Sequence, residues 1–526
     1  MNVLIVSFFN QWVTHLGTEL ELAEKHLQAG DSVTFLVCDG SVGGCITNPM
    51  GNTHTCTTCR LRRIDGIMEL SGDVEVHSLK AKMNQEEAVE ATNLSKNPMI
   101  EDYKALDYKG HDFGWAAISS AISVSRDPLC EGEENMQMAK RFLAAAVLSY
   151  EACRSYLGEH AGYDRAYVFN GRFAVTRGAL RALQDADIPV FTHERGCSVN
   201  HYQLFPNSLP HDLVLFQERV LTSWDEPNEI EHRNEIANQF FEERKNGKPL
   251  NWDSFTDKQS KDTLPSHWNN DERKIVIFNS SEDELMAIGD EFNNPVYGSQ
   301  AECVERITHD TLETGKPIHY YLRVHPNLSE VKNTRLQQLL EVISPNLTII
   351  HADDDVSTYF LLDACDCVLT FGSTVGVEAT YWGKPSILAG KSFYDELNVA
   401  YLPQNHAEVM DLLLNDNLPP KNSLGALKYG YYARTCGIPF EYWKPQDFIS
   451  GYFGGMFMGN LHKHGGDRLP LHITIFLWLM NFCKSKRALK VADRLAKYIS
   501  LSCYQIKKRL RPRRRLHDLA VRLRLR

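Results

Sequence analysis

The chain reads as an α/β protein built from two doubly wound parallel sheets that face a cleft, with a helical, basic extension at its carboxyl end. Three observations predict this. Strand-length apolar runs alternate with amphipathic helical stretches in both halves, a polar stretch parts the halves, and basic residues crowd together after residue 480.

The first half opens with NVLIVSF at 2–8, a strand, then TELELAEKHLQA at 18–29, an amphipathic helix that Gly30 stops, then the strand SVTFLVC at 32–38. A long irregular section follows. Residues 134–157 have helical periodicity, AYVF at 166–169 is a short strand, 174–184 is helical, and PVFTH at 189–193 is a further strand. Between about 243 and 272 the pattern dissolves into polar residues with Gly and Pro, which places a domain boundary there: a first domain over 1–265 and a second over 270–440. The second half restarts with strands at 274–278, 319–324, 347–351, 366–371 and 385–389, separated by helical segments. Five such strands describe a Rossmann-like sheet, and open sheets of this kind bind ligands at the carboxyl ends of their strands.

A chain of 526 residues is too long for one ordinary core, which agrees with two domains. The amino-terminal apolar run lacks a preceding basic segment and reads as a first strand and not a signal peptide. Thirteen cysteines, an odd number, fit a reducing compartment and predict thiols or metal ligands instead of a disulfide framework, so the expected location is cytoplasmic. The net charge of −11 conceals an asymmetry. Residues 481–526 carry 16 Lys and Arg against two Asp, which leaves −25 on the first 480 residues. An acidic body argues against nucleic acid as the main substrate, and a polybasic tail suits an anionic surface.

The most informative segment is CDCVLTFGSTVGVEATYWGKPSIL, 365–388: strand, Gly-Ser-Thr turn, helix, strand. Gly372 permits a sharp turn, and Ser373 and Thr374 stand where helical amides begin, an arrangement suited to a phosphate or to simple helix capping. Glu378 lies one helical turn beyond Thr374, where a carboxylate would accept hydrogen bonds from ribose hydroxyls. Two other strand ends carry polar residues that should converge on the same rim: Asn279, Ser280 and Ser281, and Arg323, His325 and Pro326. Pro326 holds His325 in extended backbone and aims its imidazole off the strand. Ser281 with Glu284 also fits a capping box.

A His-Pro pair after a central strand, followed about fifty residues later by strand, Gly-Ser-Thr, helix with Glu, then Gly-Lys-Pro, resembles the bacterial GT-B glycosyltransferases and capsule polysaccharide biosynthesis proteins over roughly residues 270–400. The resemblance implies a GT-B-like pair of Rossmann-like domains and a nucleotide-activated sugar donor, CMP- or UDP-linked. It assigns His325, Pro326, Ser373 and Thr374 to the nucleotide and its phosphate. A similar pattern occurs in polyol phosphate transferases and in nucleotide-sugar epimerases, so these stay open as alternatives.

A GT-B reading makes chemical demands. The leaving phosphate needs donors, for which Arg323, His325, Ser373 and Thr374 are available without a catalytic metal. An inverting reaction needs a general base from the opposite domain, and His15, Glu19 and Glu194 are the candidates. Asn170 and Arg172, at another strand end, would bind the acceptor or bridge the domains. Cys38, Cys45, Cys56 and Cys59, spaced C-x6-C-x10-C-x2-C in a Gly-rich loop, suggest a structural zinc, with an iron–sulfur cluster or free thiols as the alternatives.

The extension at 441–526 begins its basic part after an apolar run, 469–483, too short to span a bilayer comfortably. Basic residues beside an apolar stripe suit a helix lying on an anionic membrane, consistent with a glycan or lipid-linked acceptor. The expected function is therefore a glycosyltransferase of surface polysaccharide assembly, peripheral on the inner face of the membrane. A non-catalytic nucleotide-binding scaffold in polysaccharide export and a basic-tailed nucleic-acid binder are the readings from other classes.

Overall fold

The computed structural model describes residues 1–79, 93, 103–226, 230–248, 259, 263–265, 267–268 and 271–459. In chain order the strands are β1 (Asn2–Ser7), β2 (Ser32–Val37), β3 (Glu75–Ser78), β4 (Arg165–Phe169), β5 (Val190–Arg195), β6 (His201–Pro206), β7 (Arg273–Phe278), β8 (Ile318–Arg323), β9 (Leu347–Ile350), β10 (Cys367–Thr370), β11 (Ser386–Leu388), β12 (Ile438–Pro439), β13 (Lys444–Asp447), β14 (Ser450–Phe453) and β15 (Met456–Met458).

Two of the three sheets share one plan. The first runs β12-β6-β5-β4-β1-β2-β3 and the second β11-β10-β7-β8-β9. Strands β1 to β5 are parallel, as are β7 to β11, and in each sheet the order is third, second, first, fourth, fifth along the chain. That order reverses direction between the first and fourth strands, which creates a crevice at their carboxyl ends, between β1 and β4 and between β7 and β10. Helices cover both faces, so β1 and β7 read as nearly continuous apolar runs: Val3, Leu4 and Ile5, and Ile275, Val276 and Ile277, are all fully buried.

The domain boundary is less simple than the polar stretch at 243–272 implies. Helix Leu213–Asp225 precedes that stretch and helix Arg233–Lys245 runs into its start, yet Val220, Phe240 and Phe241 pack with Val377, Leu388 and Ala426 of the second domain. The chain then returns. After helix Leu424–Thr435, β12 pairs with β6 of the first sheet.

Residues 441–459, expected to open a helical extension, instead form the antiparallel sheet β13-β14-β15 against the first domain. Trp443 is fully buried over Gly17 of helix Val13–Gln28, where a Cβ would stand 2.5 Å from the indole. The Glu21 carboxylate accepts from the amides of Glu441 (2.8 Å), Tyr442 (2.7 Å) and Trp443 (2.8 Å), so its burial is satisfied and the returning strand is fixed. The apolar run 469–483 and the basic tail lie outside the described residues. Among the described residues no helix is long and apolar enough to cross a membrane.

Candidate active site

On the second sheet, the carboxyl ends of β7, β8 and β10 carry the residues singled out above. Gly372 turns with φ +140, and a Cβ there would meet the Lys391 carbonyl at 2.9 Å, so the turn requires glycine. Tyr394, buried, donates to the Ser373 carbonyl at 2.8 Å, and Ser392 donates to the Gly372 carbonyl at 3.2 Å, so the turn is braced from behind. Ser280 is held by the Gln300 amide, which accepts from its N–H (3.2 Å) and donates to its carbonyl (3.0 Å). The Ser280 hydroxyl is buried without a hydrogen-bond partner, 3.7 Å from where a Cβ on Gly372 would stand. Ser281 occupies the N-cap of helix Glu282–Ile288 without a side-chain cap, so the expected capping box is not formed, and its hydroxyl lies 3.5 Å from the Asn327 amide.

His325 has a defined tautomer. Pro326 starts a short 3-10 turn, and the Asn327 N–H donates to His325 Nδ1 at 3.2 Å, which leaves the proton on Nε2 as a donor. The backbone N–H of His325 donates to Asn279 at 2.7 Å. Burial, then the charges of Arg244, Arg323 and Arg126, push the imidazole down to about 4, so it stays neutral and donates from one nitrogen.

Arg244 is the cation of this rim that sequence reasoning missed. It donates to Glu378 at 3.0 Å and to the Thr374 hydroxyl at 3.2 Å. Burial opposes its charge most strongly, but the Glu378 carboxylate together with Tyr359 and Tyr429 outweighs that and raises its pKa. Glu378 is fully buried, with its other oxygen accepting from Tyr359 at 2.6 Å. The ribose contact expected of Glu378 is therefore not available: both oxygens are engaged within the protein, and the residue positions Arg244 instead. Arg323 also differs from expectation. It is buried, and its guanidinium donates to the carbonyls of His351 and of Asp354, the latter at 3.1 Å, so it ties down the loop after β9.

The first sheet presents acid–base groups at the corresponding crevice. Glu194 ends β5, accepts from Asn170 at 2.7 Å and from the Arg195 N–H at 3.0 Å, and lies 3.9 Å from His15 Nε2. A fifth of its side chain is exposed. Burial raises its pKa, and the Asn170 hydrogen bond only partly offsets this. His15 packs on Phe169 with ring centroids 3.8 Å apart, and burial followed by Arg195 and His193 drives it well below the usual histidine range. Glu19 stands behind them, 2 % exposed, accepting from Ser7, with burial pushing it up to about 8. Burial favours its neutral acid form and closes it to an acceptor, which sets it apart from Glu194 as the base. His193, not foreseen from sequence, is fully buried 4.0 Å from Glu19 and is pushed down to about 3 by burial.

Arg172 and Arg126 join the two rims. Arg172 donates to the Ala287 carbonyl of the second domain at 2.9 Å and to Ser119 and Ser123 of the first. Arg126 pairs with Asp283 and donates to Asn327 at 3.2 Å. Ser125 and Arg126 also line a polar cleft of about 890 Å³ with Arg323, Pro326, Asn327 and Lys332.

Cys38, Cys45, Cys56 and Cys59 line one cavity beside Phe8 and Arg60. They do not share a loop: Cys56 and Cys59 sit in helix Thr53–Met68, started by Asn52, whose side chain accepts from the His54 N–H at 3.1 Å. A helical C-x2-C places both sulfurs on one face.

No protein-family model matches the chain, and no curated protein matches it by sequence. Among solved structures it is similar to KpsC, a β-Kdo 2,4 transferase of Thermosulfurimonas dismutans, at 13% identity and TM-score 0.35 over 53% of this chain and 80% of that one. It is similar to UDP-GlcNAc 2-epimerase from Neisseria meningitidis, bound to UDP-GlcNAc, at 10% identity and TM-score 0.29 over 82% of this chain and 97% of that one. A third similar structure is the glycosyltransferase VinC in complex with dTDP, at 9% identity and TM-score 0.21 over 82% and 95%. These three similar structures are two glycosyltransferases and one nucleotide-sugar epimerase.

Proposed function

We propose that the protein is an inverting glycosyltransferase of GT-B type that moves a sugar from a CMP- or UDP-activated donor to a growing surface polysaccharide or a lipid-linked acceptor. The observation that carries this reading is the pairing of two unlike rims: hydrogen-bond donors and a partly buried cation around the Gly372 turn, and acid–base groups with displaced pKa values around Glu194.

The Ser280 and Ser373 hydroxyls and His325 Nε2–H bind the donor phosphate, and the neighbouring Arg244 charge favours the negative leaving group as the glycosidic bond breaks. No catalytic metal is assigned. Glu194 takes the proton of the acceptor hydroxyl, since its raised pKa strengthens it as a base and its partial exposure gives access. His15, neutral beside it, positions the carboxylate and steadies the charge change. Asn170 keeps Glu194 oriented. The net +14 of residues 481–526 supports docking on an anionic cytoplasmic membrane face, where a lipid-linked acceptor would be found. Removing residues 484–526 is expected to release the protein from anionic liposomes, and unchanged sedimentation would refute the docking.

Incubation with CMP- and UDP-sugars tests the assignment. The expected result is release of free nucleotide that depends on acceptor. Conversion of the donor without acceptor would identify an epimerase, transfer of a polyol phosphate the related transferase, and binding without turnover the scaffold.

A further inference from the structure

We propose that Cys38, Cys45, Cys56 and Cys59 hold one inorganic centre through four thiolates, and that this centre is an iron–sulfur cluster. Cys38 follows β2, Cys45 lies in a turn closed by its bridge to Asn48, and Cys56 and Cys59 come from the first turns of helix Thr53–Met68, yet all four border the same cavity. Gly40, at φ +91, and Gly51, where a Cβ would stand 2.3 Å from the Gly43 carbonyl, allow the chain to wrap this tightly.

Two of the four sulfurs accept hydrogen bonds. The Gly40 N–H donates to Cys38 Sγ at 3.3 Å, and the Asn48 amide donates to Cys56 Sγ at 3.1 Å. Asn48 is itself fixed by the Asn52 backbone, at 2.8 Å and 2.9 Å. Arg63 is 4 % exposed and donates to the Asn10 side chain (3.3 Å) and the Cys38 carbonyl (3.1 Å), with no ion pair among the described residues. Burial opposes its charge while Cys59, Cys38 and Glu19 favour it, and a tetrathiolate centre next to it strengthens that balance.

The spacing of the sulfurs selects the centre. A single zinc with bonds of about 2.3 Å gathers four sulfurs to roughly 3.8 Å from one another. Among the described residues, three potential ligand atoms come within 4.8 Å of one another at His309, Asp310 and Glu313, and not at these cysteines. Four thiolates bordering one cavity, with no three of them within 4.8 Å of one another, fit a polynuclear cluster, in which irons and sulfides stand between them. Each thiol releases its proton as its iron–sulfur bond forms, and ferric iron, with ferrous iron in a four-iron cluster, and inorganic sulfide are the co-reactants, so no separate oxidant is required.

The centre also anchors the site. Cys59 Sγ lies 3.5 Å from the Phe8 carbonyl and 3.7 Å from the Asn10 side chain, and Asn10 donates to Ser7 at 2.7 Å. These residues follow β1 and form the floor under Glu19.

The test is iron, zinc and acid-labile sulfide analysis with visible absorption on the full chain purified without oxygen. The expected result is about two or four irons per chain with comparable sulfide. The Cys56→Ser, Cys59→Ser double variant is expected to lose both, while Cys153→Ser, at a buried thiol elsewhere, keeps them. Iron below about a tenth of an equivalent in the unmodified protein overturns the proposal whether or not the double variant folds, and about one zinc without sulfide overturns the cluster assignment.

Discussion

The two parallel sheets have the same strand order and opposite chemistry. At the rim of the second, the polar groups are donors: hydroxyls, an imidazole fixed as a donor at Nε2, and Arg244. At the rim of the first they are titratable groups, His15, Glu19, His193 and Glu194, all displaced from their ordinary pKa by burial. Topology supplies two equivalent crevices, and the side chains at each decide what it does.

The largest expected effect falls on the proton-handling rim. Glu194→Gln should lower kcat by about 100-fold to 10,000-fold while nucleotide affinity stays unchanged, as steady-state kinetics and calorimetry can show. An equal loss in nucleotide affinity would erase the division between rims. On the other side, Arg244→Ala leaves the Glu378 carboxylate buried and should cost about 3 kcal/mol in chemical denaturation, the low end for removing one partner of a buried pair because a third of Arg244 is exposed. Adding Glu378→Gln should recover part of that loss.

How much of this contrast was legible from sequence depends on how local each signal is. The Gly372 turn was, because Gly, Ser and Thr after an apolar strand carry their conformation with them. Arg244 was not, since it reaches Thr374 across 130 residues from a helix beside the apparent linker. Glu378 has helical spacing to Thr374, but spacing does not reveal that Arg244 and Tyr359 occupy its carboxylate. Strands β12 to β15 are two to four residues long, too short for periodicity to register, and Trp443 finds its place only through Gly17 and Glu21.

Smaller effects sharpen the comparison further. His325→Ala removes a donor to a charged group and should weaken nucleotide binding by about 1 to 3 kcal/mol with little change in stability. Glu19 offers a pH test. Unfolded, it ionises in the ordinary carboxylate range, whereas folded it keeps its proton to about 8. Its contribution to stability is therefore fully present at acid pH and is lost as pH rises through about 8, by up to about 1.4 kcal/mol per pH unit inside that window. Glu19→Gln should flatten this slope, read as thermal melting from pH 5 to 9.

The most direct measurement of the division between rims is calorimetric titration of CMP, UDP, GDP and CDP into the unmodified protein, His325→Ala and Glu194→Gln. One nucleotide should bind the unmodified protein and Glu194→Gln alike and bind His325→Ala at least several-fold more weakly. Equal binding to all three, or binding lost only in Glu194→Gln, would contradict the account.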